Sequence, residues 1–187
     1  VGLMSRRCLD VAGTTPKKCR VSLNGKVLNV KDFKDYVEMY VGKEDSSQIV
    51  YEKGHDRWEV AMAISEGQFQ QVSFVNGIST PKGGTHVAHV ADQLVEAIAK
   101  RVNTKNKGGM EIKPHHVRSH IWLFVNCKIE NPSFDSQTKE TMTLKQGKFG
   151  SRCEISDLMI GKVLKTGIVD LVLNWARAKE AIDLGKT

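Results

Sequence analysis

The run Asn131-Pro132-Ser133-Phe134-Asp135-Ser136-Gln137-Thr138-Lys139-Glu140 sets an amide, a hydroxyl and an ammonium in consecutive positions at Gln137, Thr138 and Lys139. Those three groups suit phosphate oxygens. An ammonium about 4 Å from a phosphate, at an effective dielectric near 20, gains on the order of 4 kcal/mol before desolvation. On chemistry alone the same run also reads as an ordinary polar turn. A second candidate is the gathering of Lys100, Arg101, Lys105, Lys107 and Lys113 around one glycine-containing segment. Such a loop neutralises phosphates without reading bases, and no aromatic residue interleaves with the lysines for stacking.

Other patterns carry less. His86-x-x-His89 and His116-x-x-x-His120 have spacings that could approach one metal, but no cysteine or carboxylate set accompanies them, so surface and loop histidines are the expectation. Gly83-Gly84 before a helical pattern could offer backbone N–H groups to an anion, yet it lacks the G-x-x-x-x-G-K-[ST] spacing of a phosphate cradle and reads as a tight turn. The four cysteines, Cys8, Cys19, Cys127 and Cys153, form no C-x-x-C and suit a reducing compartment.

With 187 residues, 40% hydrophobic and 26% charged, the chain has the composition of a folded globular domain, and disordered, collagen-like and disulfide-scaffold classes are excluded. Its net charge of +7 raises the expectation of a polyanionic partner. No apolar run reaches the roughly 20 residues of a membrane span, and no signal peptide opens the chain, so cytosol or nucleus is expected. Val1 stands inside a helical pattern, which predicts a piece of a longer polypeptide.

The elements that must position these groups follow from periodicity. A first helix should end at Gly13. Cys19, Val21 and Leu23 alternate before Asn24-Gly25, a type I′ turn signal, with Val27–Val30 as the returning strand. Asp32 caps a helix whose stripe is Phe33, Tyr36, Val37 and Tyr40, and Gly42–Ser47 reads as a polar loop. Trp58–Ile64 and Phe69–Val75 alternate as strands and should pair as an antiparallel hairpin. Thr85 is the expected N-cap of a helix lasting to about Val102, and Asn103–Gly109 a loop. Ile121–Ile129, apolar on both faces, should be central in its sheet. Asn131–Gly150 has no period and reads as a long functional loop. Ser156 should cap a helix to Thr166, Gly167 close it, and a last helix carry Leu171, Val172, Trp175 and Ile182. The whole predicts an α+β fold, a mixed sheet with helices packed on one face.

The stretch Ile129–Glu140, with Gln70-Gln71-Val72-Ser73-Phe74-Val75-Asn76, Gly83-Gly84-Thr85-His86-Val87, Arg57-Trp58-Glu59-Val60, Asn106-Lys107-Gly108-Gly109 and the Ile168–Trp175 helix, resembles the transducer domain of eukaryotic type IIA DNA topoisomerases over nearly the whole chain. The resemblance implies a ribosomal protein S5 domain 2-like fold with a left-handed βαβ crossover, residues 1–187 forming a single transducer domain. It implies an ATP-binding domain before Val1, holding the glutamate base and the Mg2+-binding asparagine, and a DNA cleavage core after Thr187. Gln137, Thr138 and Lys139 match the family's Q-T-K loop, which contacts the ATP γ-phosphate. Asn103, Thr104, Lys105 and Lys107 match its DNA-contacting loop, with Asn103 and Thr104 standing where relatives often carry lysine. Implied partners are double-stranded DNA, ATP and a second copy in a nuclear homodimer, with no membrane and no metal ligand in this segment. The isolated fragment is expected to be inactive. The rival reading is a stand-alone basic nucleic-acid-binding module of S5-like fold.

Overall fold

The structure, a computed structural model, describes residues 1–42, 48–55, 57–107 and 109–184. Beyond Gly42, the expected polar loop therefore lies outside the described residues. The chain runs through α1 (Gly2–Thr14), β1 (Ser22–Leu23), β2 (Lys26–Val27), α2 (Phe33–Val41), β3 (Val50–His55), β4 (Trp58–Ile64), β5 (Gln70–Val75), β6 (Ile78–Ser79), α3 (Thr85–Lys105), α4 (Pro114–Arg118), β7 (Ile121–Cys127), α5 (Asp157–Val163) and α6 (Ile168–Leu184). The α+β class and the mixed sheet are as expected. No described helix is long and apolar enough to cross a membrane.

The main sheet has the order β3-β4-β7-β5-β6. β7 is central because it is apolar on both sides. Leu123 and Val125 join Val60, Met62 and Val75 beneath α3, α5 and α6. Phe124 turns the other way, with Ala61 and Phe74, toward α1 and α2. The structure thus adds to the expected helical layer a second pair of helices on the opposite face.

The centrality of β7 also corrects one pairing. β4 and β5 are not a hairpin: β7 lies between them, antiparallel to β4 with Ile64 opposite Ile121, and parallel to β5 with Gln70 opposite Trp122. Burying a two-faced apolar strand between two half-apolar ones removes more surface from water than pairing the latter directly. β4's other edge pairs with β3, which no clear alternation announced. The parallel β5 and β7 are joined through α3 and α4, the crossover to which the resemblance assigns a left-handed sense.

Three boundaries differ for local reasons. Gly13 lies inside α1, where a Cβ would stand 2.6 Å from the Tyr36 ring; it is required by the close approach of α1 and α2. There Tyr36 Oη donates to the buried Asp10 Oδ1 at 2.6 Å. Helix α3 continues past Val102 to Lys105, so the expected loop at Asn103–Gly109 begins three residues later. α5 closes at Val163, and turns lead to Gly167. The hairpin β1–β2 is shorter than expected, although Asn24 and Gly25 take the positive φ of the expected turn, 51° and 79°.

Candidate functional site

The long segment after β7 is held in place by its base. Asp135 N–H donates to Thr141 O at 3.1 Å, and Thr143 N–H donates to Ser133 O at 2.9 Å. Phe134 and Met142 stand opposite one another in an isolated antiparallel bridge. Residues 133–143 are thereby a short finger with Ser136–Glu140 at its tip. Met142, fully buried, anchors the finger to the start of α3: its N–H donates to Gly83 O at 3.0 Å, and its carbonyl accepts from Thr85 N at 3.0 Å. Thr85 Oγ1 donates to Leu144 O at 2.6 Å, so it fastens the loop instead of capping the helix; the N-cap is Gly84, which has no side chain to cap with. At Gly84, φ is 135° and a Cβ would lie 2.2 Å from Met142 O. Only glycine lets the finger and the helix come this close.

The tip exposes the trio. Gln137 and Thr138 are exposed and Lys139 is half-buried. Lys139 has φ 59°, and its N–H donates to Ser136 O at 3.1 Å, closing the turn. The Thr138 hydroxyl shares a 2.8 Å hydrogen bond with Ser136 Oγ. Among the described residues no carboxylate pairs with Lys139. Its neighbour Glu140 instead pairs with Lys82, Oε2 to Nζ at 2.6 Å, and Lys82 N–H donates to Glu140 O at 3.1 Å. Hydrogen bonds to the Asp135 carboxylate, that from Thr141 first, hold its pKa below the usual range, so it stays ionised and keeps the turn.

The basic candidate sits at the far end of α3. Asn103 is committed: its Nδ2 donates to Ile112 O and its Oδ1 accepts from Ile112 N, both at 2.9 Å. Thr104 Oγ1 donates back to Lys100 O at 2.8 Å. Lys105 Nζ lies 3.7 Å from Asp170 Oδ1 of α6, an exposed pair. Lys107 is exposed in the following turn. Of these four positions, Lys105 and Lys107 present charge to solvent, while Asn103 and Thr104 hold the helix end.

Among the described residues the histidines do not gather at a metal site, and His86 and His120 are buried where surface and loop positions were expected. His86 is buried with Nε2 3.2 Å from Thr80 Oγ1, and burial pushes its pKa down to about 4. His89 Nε2 meets Cys153 O at 2.9 Å. His116 and His120 pack on Trp175, with ring centroids 5.0 and 6.0 Å away. The Gly83-Gly84 turn presents no open anion cradle, since Gly83 N–H donates to Thr80 O and Thr85 N–H to Met142 O.

Two residues that sequence reading did not single out support the finger. Asn76 clasps the chain where it leaves β7, with Nδ2 donating to Ile129 O and Oδ1 accepting from Ile129 N at 2.9 Å each. Asn76 ends the Gln70–Asn76 stretch of the resemblance, which gave it no role of its own. Lys82, which braces Glu140, lay in a loop with no periodic signal; its proximity exists only in the fold.

Residues 32–185 match the family DNA gyrase B, and the chain belongs to that family. It is 50% identical over 193 aligned residues to DNA topoisomerase 2 of Arabidopsis thaliana, across 100% of this chain and 13% of that protein. The crystallised ATPase and transducer domains of DNA topoisomerase II from Balamuthia mandrillaris superpose with a TM-score of 0.89 at 43% identity, over 96% of this chain and 45% of that one. The ATPase region of Saccharomyces cerevisiae topoisomerase II gives 0.84 at 42% identity, over 94% and 44%. The chain is a domain of the ATPase-region type found in these proteins. It spans about an eighth of the length of the plant protein.

Proposed function

We propose that this chain is the transducer of an ATP-dependent type II DNA topoisomerase, an enzyme that passes one duplex through a transient double-strand break in another, acting as a homodimer in the nucleus. The observation that carries the reading is the finger of residues 133–143: the exposed Gln137 amide and Thr138 hydroxyl beside the half-buried Lys139, on a base fixed to the start of α3. Likeness to chains crystallised as ATPase and transducer domains supports it.

The donor set fits the terminal phosphate of a nucleotide. It does not fit Mg2+, a hard cation that takes oxygen ligands and is repelled by an ammonium, and the ion and the catalytic base are assigned to a preceding domain. Bound ATP would supply a γ-phosphate whose loss on hydrolysis removes the anionic partner. Gln137 donates its amide N–H and Lys139 its ammonium, a charge-assisted contact stronger than a neutral one. Because Met142 and Leu144 tie the finger to the first turn of α3, release at the tip frees the end of a helix. That helix has 21 residues, about 30 Å, and ends at Lys105, with Lys107 in the turn that follows. These two lysines are proposed to meet the phosphates of double-stranded DNA, with no base-reading group beside them. One rigid element thus joins the nucleotide-facing and DNA-facing ends.

The test is ATP turnover by the intact enzyme carrying Lys139→Ala. Loss of an ammonium from a transition-state phosphate costs about 3 kcal/mol, near a hundredfold in rate. Gln137→Ala should lower turnover less, and wild-type turnover and strand passage in Lys139→Ala would refute the assignment.

A further inference from the structure

Positive charge is concentrated a second time, along the edge strand β3. A cleft of about 560 Å³ there is lined by Lys17, Lys18, Lys34, Lys53, Arg57 and Lys128, with Asp32 and Glu59 the carboxylates of its described lining. A shallower groove of about 400 Å³ shares Lys34 and Tyr51 with it and adds Lys162 and Lys165, with no carboxylate in its described lining. The two adjoin at these shared residues.

Both carboxylates are already engaged. Glu59 accepts from Tyr51 Oη at 2.8 Å and from Asn126 Nδ2 at 2.9 Å. Asp32 caps α2 through Asp35 N at 2.8 Å and pairs with Lys17 at 2.7 Å. Lys34 lies 3.8 Å from Glu38 and Arg57 2.7 Å from Glu130. Lys18, Lys53, Lys128, Lys162 and Lys165 are exposed and, among the described residues, pair with no carboxylate. A lysine on an edge strand guards against strand addition, which accounts for Lys53. It does not account for the others, which come from the turn after α1, the end of β7 and the end of α5.

A row of cations along one edge matches a ligand with phosphates at regular intervals, and duplex DNA carries one charge per about 1.7 Å of axis. A single nucleotide would occupy one cleft and leave the other unmet. Trp58 is buried and Tyr51 is a single half-buried ring, so the track offers no run of aromatic platforms for stacking the bases of a single strand. We propose that this track docks the sugar–phosphate backbone of duplex DNA, independently of sequence and separately from Lys105 and Lys107. The choice of DNA over other polyanions rests on the topoisomerase reading above.

The test is fluorescence anisotropy of a fluorescein-labelled duplex titrated with the 187-residue chain over a range of salt. Replacing Lys53, Lys128, Lys162 and Lys165 by alanine should weaken binding more than tenfold at low salt and flatten the slope of log affinity against log salt by up to about 3.6. Lys105→Ala with Lys107→Ala should flatten it by about two units at most. A four-lysine variant that keeps wild-type affinity and slope overturns the proposal. So does lysine-dependent binding of phosphatidylserine vesicles or tripolyphosphate without binding of the duplex. Acetylation footprinting of the unsubstituted chain gives an independent reading: duplex should protect these four lysines, and their unchanged labelling would overturn the proposal without reference to variant folding. Failure here leaves the Lys139 turnover test untouched, so the two readings fall separately.

Discussion

The two ends of α3 handle polar side chains in opposite ways. At its start, backbone groups of Gly83, Thr85 and Met142 bond to one another and leave the side chains of Gln137 and Lys139 on an exposed or half-buried tip. At its end, side chains do the holding: Asn103 bonds Ile112 twice, Thr104 bonds Lys100, and Lys105 approaches Asp170. A group that must meet a ligand needs a fixed backbone and an uncommitted tip. The first end meets that condition at Gln137 and Lys139, the second chiefly at Lys107.

The largest effect is expected at Gly84. Gly84→Ala puts a methyl against Met142 O at a φ that L-residues rarely adopt, and the expected loss is about 3 kcal/mol or more in urea unfolding. A loss below 1 kcal/mol would mean that the finger is not anchored there. Next comes Asn103→Ala, which leaves the Ile112 amide and carbonyl without partners and should cost about 2 kcal/mol. If stability is unchanged but DNA affinity falls, Asn103 belongs to the ligand and the contrast collapses.

Acid sharpens the comparison at the loop end. His86 in the first turn of α3 takes a proton readily only when unfolded, because burial lowers its folded pKa from 6.5 to about 4. Its contribution to stability is complete above about pH 6.5 and is lost as pH falls toward 4, with a slope up to about 1.4 kcal/mol per pH unit. His116 and His120, also lowered chiefly by burial, add slope of the same sign. His86→Asn should therefore reduce the slope of unfolding free energy against pH, and an unaltered slope would assign the acid sensitivity elsewhere. The smallest effect is expected at Lys105→Ala, within about 0.5 kcal/mol in the same unfolding assay, since its pair with Asp170 is exposed.

Much of this arrangement is legible in the chain itself because periodicity reports burial. Trp58–Ile64 and Ile121–Cys127 announce which side chains enter the core, and the apolar stripe of α3 announces its buried face. Partner choice is less legible: that β7 separates β4 from β5 depends on which arrangement buries both faces of one strand, a property of three strands together. Helix ends are less legible still. Asn103 and Thr104 favour caps and turns by composition; what holds Asn103 in the helix is a pair of bonds to Ile112, nine residues away, and Thr104 bonds back to Lys100. The trio Gln137, Thr138 and Lys139 is readable as phosphate chemistry, but the anchoring by Met142, Lys82 and Asn76 is made by contacts across the fold that no spacing encodes.

The most direct test of the two-ended helix is ATP turnover by the intact enzyme, measured with and without DNA, for Lys139→Ala beside Lys105→Ala/Lys107→Ala. Lys139→Ala is expected to lower turnover near a hundredfold in both conditions, corresponding to about 3 kcal/mol. The double variant is expected to keep its DNA-free turnover and lose part of the stimulation by DNA. Wild-type turnover in Lys139→Ala, or equal losses of DNA-free turnover in both variants, would contradict the two-ended arrangement.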